Sequence, residues 1–129
     1  YIYKKIRLCK MGDDSIMEKS IFEKILSREI PSEILCETER VFAINDINPV
    51  APVHILVIPK MKIATINDLE DKDMDLIGEI VLTAKKLAFE RGIQDSGYRL
   101  IWNTNGHGQQ TVYHIHLHLI GGKQLSWNF

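Results

Sequence analysis

The segment Tyr113-His-Ile-His-Leu-His-Leu-Ile120 constrains this chain more than any other. Apolar residues and histidines alternate with a period of two, the spacing of a β-strand whose two faces meet different surroundings. A strand is therefore predicted over Val112–Ile120, with Ile115, Leu117 and Leu119 turned toward a core. His114, His116 and His118 share the opposite, solvated face. One histidine in that position would be an ordinary polar residue on a wet strand. Three in register ask for a chemical explanation.

Strand geometry separates the two chemistries open to such a row. Residues rise about 3.3 Å each, so neighbouring histidines lie about 7 Å apart and the outer pair about 13 Å apart at the backbone. Two neighbours can share a zinc ion, but near-parallel side chains bring all three to one ion only with strain. No Cys, Asp or Glu adjoins the row to complete a tetrahedral set, so no metal is expected. Nucleophilic work fits better. Free imidazole has a pKa of about 6.5, so it is largely unprotonated at neutral pH and can attack phosphorus. His116, flanked by a partner on each side, is the expected nucleophile.

The rest of the chain supplies a scaffold for that row. With 129 residues, a basic or polar extension over 1–17 and a single domain over 18–129 are expected. The chain is 45% apolar and 26% charged with a net charge of −1, which leaves no electrostatic footprint for duplex nucleic acid. No apolar run approaches the roughly 20 residues needed to span a bilayer. Two cysteines, Cys9 and Cys36, are too few for a disulfide framework, so a reducing compartment is expected: the cytoplasm, with the nucleus as a second location.

A first helix is predicted over about Glu18–Arg28, with Ser20 or an earlier polar residue as its cap, and Pro31 closes it. Short strands are predicted over Ile34–Thr38 and Val41–Asp46. After the break Asn48-Pro-Val-Ala-Pro52, the run from His54 to Pro59 reads as a strand buried on both faces. A long helix is predicted over Leu69–Arg91, with a stripe of Met74, Ile77, Val81, Ala84 and Ala88 widened by Ile80 and Leu87 and with Gly92 as its stop. A strand over Tyr98–Asn103 and the loop Thr104–Thr111 lead to the histidine row. Strands joined by short turns, with helices elsewhere, give an α+β fold on a mainly antiparallel sheet.

The row His114-Ile-His-Leu-His-Leu-Ile-Gly-Gly122 resembles the signature of the histidine triad (HIT) family. The resemblance extends to Ile21-Phe22, Ile30-Pro31, Asp46-Ile-Asn-Pro49, Ala51-Pro-Val-His54, Val57-Ile-Pro-Lys60, Gly97-Tyr-Arg99, Asn103, Gln110-Thr-Val-Tyr-His114 and Trp127. Gly121-Gly122 and the late tryptophan look like the Hint branch, the nucleoside phosphoramidases.

That resemblance implies a five-stranded, mainly antiparallel sheet with two helices, paired in a homodimer as a ten-stranded sheet. It implies hydrolysis of purine nucleoside 5′-phosphoramidates without a cofactor, through a nucleotidyl intermediate on His116. His118 would bind the α-phosphate and His114 would position His116, with His54 behind them. Asn103, Thr111 and the backbone around Gln109 and Gln110 would hold the phosphate and leaving group. Asp46 would accept from the ribose hydroxyls, beside Asn45. Ile21, Phe22, Ile25, Ile44 and Ile47 would enclose the purine, and Trp127 would lie near the partner's site.

Plainer readings stand beside these. Asp46 suits the start of a turn before Asn48-Pro49, and Ile21, Phe22 and Ile25 suit a core. His54 suits a buried structural role, and Asn103 with the loop Asn105-Gly-His-Gly108 suits a simple hairpin connection. Three residues depart from the family pattern: Lys62 where a histidine is common, Gln109 where glycine is common, and the tail Ser126-Trp-Asn-Phe129. Two other functions remain open at this point, dinucleoside polyphosphate hydrolysis and nucleotide sensing with incidental catalysis.

Overall fold

The computed structural model describes residues 18–129, and the expected N-terminal extension lies outside the described residues. The described chain runs α1 (Ile21–Leu26), β1 (Ile34–Glu37), β2 (Val41–Asn45), β3 (Val53–Pro59), α2 (Met74–Glu90), β4 (Tyr98–Trp102) and β5 (Leu117–Gly121). The strands form one antiparallel sheet in the order β1-β2-β3-β5-β4. The expected α+β class and strand count therefore hold.

Period-two alternation divides the sheet into two apolar faces, each covered by one helix. Val41, Ala43, Ile55, Val57, Leu117 and Leu119 form one face and pack against Leu76, Ile80, Ala84, Leu87 and Ala88 of α2. Phe42, Ile44, Leu56 and Ile58 form the other, closed by Phe22 and Ile25 of α1. The result is a three-layer arrangement with β3 buried along almost its whole length, as its unbroken apolar run predicts.

The helix ends follow their local chemistry. Ser20, one of the expected caps, holds α1 in a capping box with Glu23, so the helix starts at Ile21 and not at Glu18. The long helix begins at Met74 and not at Leu69, because Asp71–Asp73 form a separate 3₁₀ turn. There the Glu70 N–H donates to the Asp73 carboxylate at 2.9 Å. The buried stripe of α2 includes Leu76 and Thr83, while Met74 is 70% exposed and lies outside it. Gly92, at φ +71°, ends the helix as expected, with the Ile93 N–H reaching the Ala88 carbonyl at 3.0 Å.

The predicted strand over Val112–Ile120 is too long at its start. Regular pairing begins only at Leu117, with β3 on one side and β4 on the other. Before that point the Ile115 N–H turns to the Ile63 carbonyl at 2.8 Å, and Gln110 Nε2 donates to the Val112 carbonyl at 3.0 Å. Alternation of facing persists through this irregular stretch, since Ile115 joins the α2-side core with Leu117 and Leu119.

Candidate active site

Sheet register places the first two groups. Leu56 pairs with His118 and His54 with Ile120, so His54 and His118 lie diagonally across β3 and β5 on the α1 face. Their ring centroids are 5.2 Å apart. Asp46 follows β2 directly, and its N–H donates to the His54 carbonyl at 2.9 Å. The Asp46 carboxylate Oδ2 consequently stands 3.3 Å from His54 Nε2.

The histidine face is dry, contrary to the solvated face expected from alternation. His114 is fully buried, His116 is 9% exposed and His118 is partly buried. Phe22 of α1 supplies the cover, edge-on to His114 at 5.6 Å and to His116 at 4.9 Å. The His116 and His118 rings are 5.0 Å apart, while His114 meets His116 through its carbonyl and through Phe22 between the two rings.

Hydrogen-bond partners assign the tautomers. His114 Nε2 faces the Pro59 carbonyl at 2.7 Å, and a carbonyl only accepts, so this nitrogen carries the hydrogen. His116 Nδ1 faces the His114 carbonyl at 2.8 Å and donates to it, which leaves His116 Nε2 as a free lone pair. His54 Nδ1 accepts from the Val50 N–H at 3.1 Å, so His54 Nε2 carries the hydrogen and donates to His118 Nδ1 at 3.0 Å. His118 Nε2–H then remains. Among the described residues this buried atom has no partner. An orphaned buried donor costs about 1–3 kcal/mol, so the site carries one donor in want of an acceptor.

Burial also sets the charge state. It is the largest cause lowering the pKa of all three triad rings. For His118, the nearby His116 and His54 push in the same direction, and its pKa falls to about 4. All three imidazoles are therefore neutral at neutral pH. A neutral His116 with a free Nε2 is competent to attack an electrophile, and the neighbouring donor can stabilise an oxyanion.

The remaining candidates divide by environment. Phe22, Ile25 and Ile44 are buried in the smaller core, with Phe22 also against the rings of His114 and His116. Ile21 and Ile47 stay open to solvent at 44% and 81% exposure, and Asn45 is exposed. Asn103 is partly buried just beyond β4, and Thr111 is exposed.

Gln110 is buried and its amide is spent inside the protein. It accepts from the Asn105 N–H at 2.9 Å and donates to the Ala64 and Val112 carbonyls. The N–H groups of Gln109 and Gln110 already donate to Gly106 and Asn105, so the loop backbone expected to hold phosphate is closed on itself. Gln109, which replaces a common glycine, takes a left-handed conformation at φ +68°. Trp127 is 75% exposed, with the Arg99 guanidinium 5.3 Å from its ring and Phe129 at 5.0 Å.

Two residues gain roles that sequence reasoning did not give them. Ser20 Oγ lies 2.6 Å from His114 Nδ1, and Lys62 Nζ donates to the Glu18 carbonyl at 2.6 Å. The sequence shows only the capping pattern around Ser20. Lys62 thus ties down the approach to α1 in place of the histidine common at that position.

A metal is the other ligand this cluster suggests, because Asp46, His54 and His118 bring ligand atoms within 4.8 Å of one another. The tautomers oppose it. Ligation through His54 Nε2 would shift its hydrogen to Nδ1, setting two donors against each other at Val50. As bonded here, His54 would have to give up the Val50 N–H in order to ligate through Nε2. Two surface hollows, one along α2 beside Cys36 and one beside Arg99 and Leu125, include none of these histidines.

Known proteins resemble the chain over most of its length. Residues 27–125 match the HIT domain model. The chain is 50% identical over 108 residues to the purine nucleoside phosphoramidase of Escherichia coli (strain K12), covering 84% of this chain and 91% of that one. It is 44% identical to a 14 kDa zinc-binding protein of Zea mays, covering 89% and 88% of the two chains. Among solved structures, a HIT family hydrolase from Legionella pneumophila is 50% identical with a TM-score of 0.82, covering 84% and 97%. A histidine triad protein from Clostridium difficile is 43% identical at the same TM-score, covering 88% and 100%.

Proposed function

The chain belongs to the HIT family, and from that premise we propose that it hydrolyses purine nucleoside 5′-phosphoramidates through a covalent nucleotidyl-histidine intermediate on His116. One observation carries the reading. His116 Nδ1–H is held by the His114 carbonyl, so Nε2 is the free nitrogen, and the ring beside it offers a buried, unpartnered N–H. A nucleophile next to an oxyanion donor is what in-line displacement at phosphorus requires.

In the first step His116 Nε2 bonds to the α-phosphorus as the phosphorus–nitrogen bond of the substrate breaks, and the amine leaves with a proton taken from solvent. In the second, water bonds to phosphorus and gives up a proton to solvent, the bond to His116 breaks, and a nucleoside monophosphate departs. His118 Nε2–H donates to a non-bridging oxygen in both steps. His54 keeps that hydrogen in place by occupying His118 Nδ1. Asp46 is the ribose-binding group: each carboxylate oxygen has two lone pairs, and one bond to the Asn48 N–H and one approach from His54 leave capacity for hydroxyl donors.

A homodimer is part of the same reading. β4 is an edge strand whose outer backbone groups are unpaired in the sheet, and all of its residues are only partly buried. Pairing two such edges would extend the sheet to ten strands. Among the described residues no helix is long and apolar enough to cross a membrane, and Cys36 is a free thiol, which supports a cytoplasmic location.

Intact-mass analysis after rapid mixing with an adenosine phosphoramidate tests the mechanism. A transient nucleotidyl adduct is expected on the wild-type protein and not on His116→Ala. An adduct on His116→Ala would overturn the assignment, and faster turnover of diadenosine triphosphate than of the phosphoramidate would overturn the substrate class.

A further inference from the structure

The nucleophile sits on a stretch of backbone that the sheet does not hold. Ladder pairing starts at Leu117, one residue beyond His116. In its place the His114 side chain acts as the fastening. Its Nε2–H is bonded to the Pro59 carbonyl at the end of β3, and its own carbonyl receives the His116 Nδ1–H.

Among the described residues the other end of the His114 ring has a single partner, reached across 94 positions of sequence. That partner is the Ser20 hydroxyl at 2.6 Å. Because His114 Nε2 carries the ring hydrogen, Nδ1 can only accept, and the Ser20 hydroxyl must donate. The same oxygen accepts the Glu23 N–H at 3.1 Å, so it caps α1 while it holds the imidazole. Two residues further on, Phe22 lies edge-on to both His114 and His116. One hydroxyl thus fixes the start of the covering helix and the carrier of the nucleophile together.

We infer that Ser20 is a positioning residue for the reaction at His116, acting through His114 to keep the His116 Nδ1–H on its carbonyl acceptor and Nε2 free. It touches no reacting atom. Releasing His114 Nδ1 would let the ring and its carbonyl shift, and His116 would then populate both tautomers. The kinetic consequence rests on the phosphoramidase reading, whereas the tautomer consequence does not.

The test separates the capping role of Ser20 from its role as a donor. Glycine is well tolerated as an N-cap, so Ser20→Gly keeps the helix start and removes the hydroxyl, while Ser20→Thr keeps both. Displacing a reacting group by about 1 Å can cost about 100-fold in rate, so Ser20→Gly is expected to lower kcat by about 10- to 100-fold with KM changed less than about threefold. Ser20→Thr is expected to restore kcat to within about threefold of wild type. Nitrogen-15 spectra of the imidazoles should show His116 as one tautomer in the wild-type protein and as a mixture in Ser20→Gly.

Should Ser20→Gly fail to fold, Ser20→Asp serves instead, because aspartate caps well but has no hydrogen to give. The same kinetic loss is expected from it. A kcat within twofold of wild type in the variant that folds overturns the inference, and so does an unchanged His116 tautomer. If the wild-type protein turns over no phosphoramidate, the functional reading falls and the spectra alone decide the role of Ser20.

Discussion

Mild acid should destabilise this protein through its buried imidazoles, and His118 permits the effect to be measured. In the unfolded chain this ring takes up a proton near 6.5, whereas in the folded protein it resists protonation down to about 4. Above the unfolded value both states are neutral and nothing is lost. Below it the unfolded chain binds the extra proton, so stability falls with pH and levels off only below the folded value.

The full gap corresponds to roughly 3 kcal/mol at about 1.4 kcal/mol per unit, and about 2 kcal/mol of it is lost by about pH 5. Partial solvent access to His118 screens the effect, which brings the expected loss at pH 5 to about 1–2 kcal/mol. For a domain of this size that is about 1 M in the urea midpoint. Urea unfolding should be followed at about pH 7 and pH 5 for the wild-type protein and for His118→Gln. Losses from His114 and His116 are common to both proteins and cancel in the comparison. The wild-type midpoint should fall by about 1 M more than that of the variant. Equal falls would refute the assignment of a neutral, acid-resistant His118.

Three further outcomes are expected. Gly121→Ala would set a methyl group 2.8 Å from Ile93 Cδ1 and 3.2 Å from Tyr98 Cβ, so a loss of about 1–3 kcal/mol is expected, seen as a lower Tm. An unchanged Tm would show that the contact relaxes freely. Gln110→Ala strips the Asn105 N–H of its acceptor, and amide exchange at Asn105 should quicken while β3 and β5 stay protected. His54→Phe removes the donor that fixes the His118 tautomer, and kcat should fall by about 100-fold in a protein that still folds; a wild-type kcat would assign His54 to packing alone.

Much of the scaffold was readable because its cause is local. The unbroken apolar run before Pro59 announced a strand covered on both sides, and Gly92 announced the end of the long helix. Alternation likewise put Ile115, Leu117 and Leu119 on one core face. Other features depend on partners distant in sequence, and there the pattern misled. A polar row looked wet because nothing in residues 112–120 reveals that Phe22 lies over it. The same row looked like strand from its first residue, although Gln110 and Ile63 draw off the backbone groups that would have paired.

The site shows the same division. The residue types of the triad and His54 were legible, but their hydrogens were not, since Pro59 and Val50 decide those of His114 and His54 from other parts of the fold. Gln110 reads as a ligand residue by its place in a motif, yet its amide is fully occupied within the loop. The pair Gly121-Gly122 has a packing reason that spacing alone does not supply. Gly121 stands where a side chain would strike Ile93, and Gly122 adopts φ +93° against Pro52.

The placement of β5 between β3 and β4 bears on how the molecule comes into being on the ribosome. Every earlier strand has been synthesised before the one that must slot into the middle of the sheet, about 60 residues after its neighbour β3. A nascent chain halted short of Leu117 exposes two apolar strand edges and has no assembled catalytic row. Competence therefore arrives all at once, when β5 has been made, and products halted before it are expected to be prey for chaperones and proteases instead of partial enzymes.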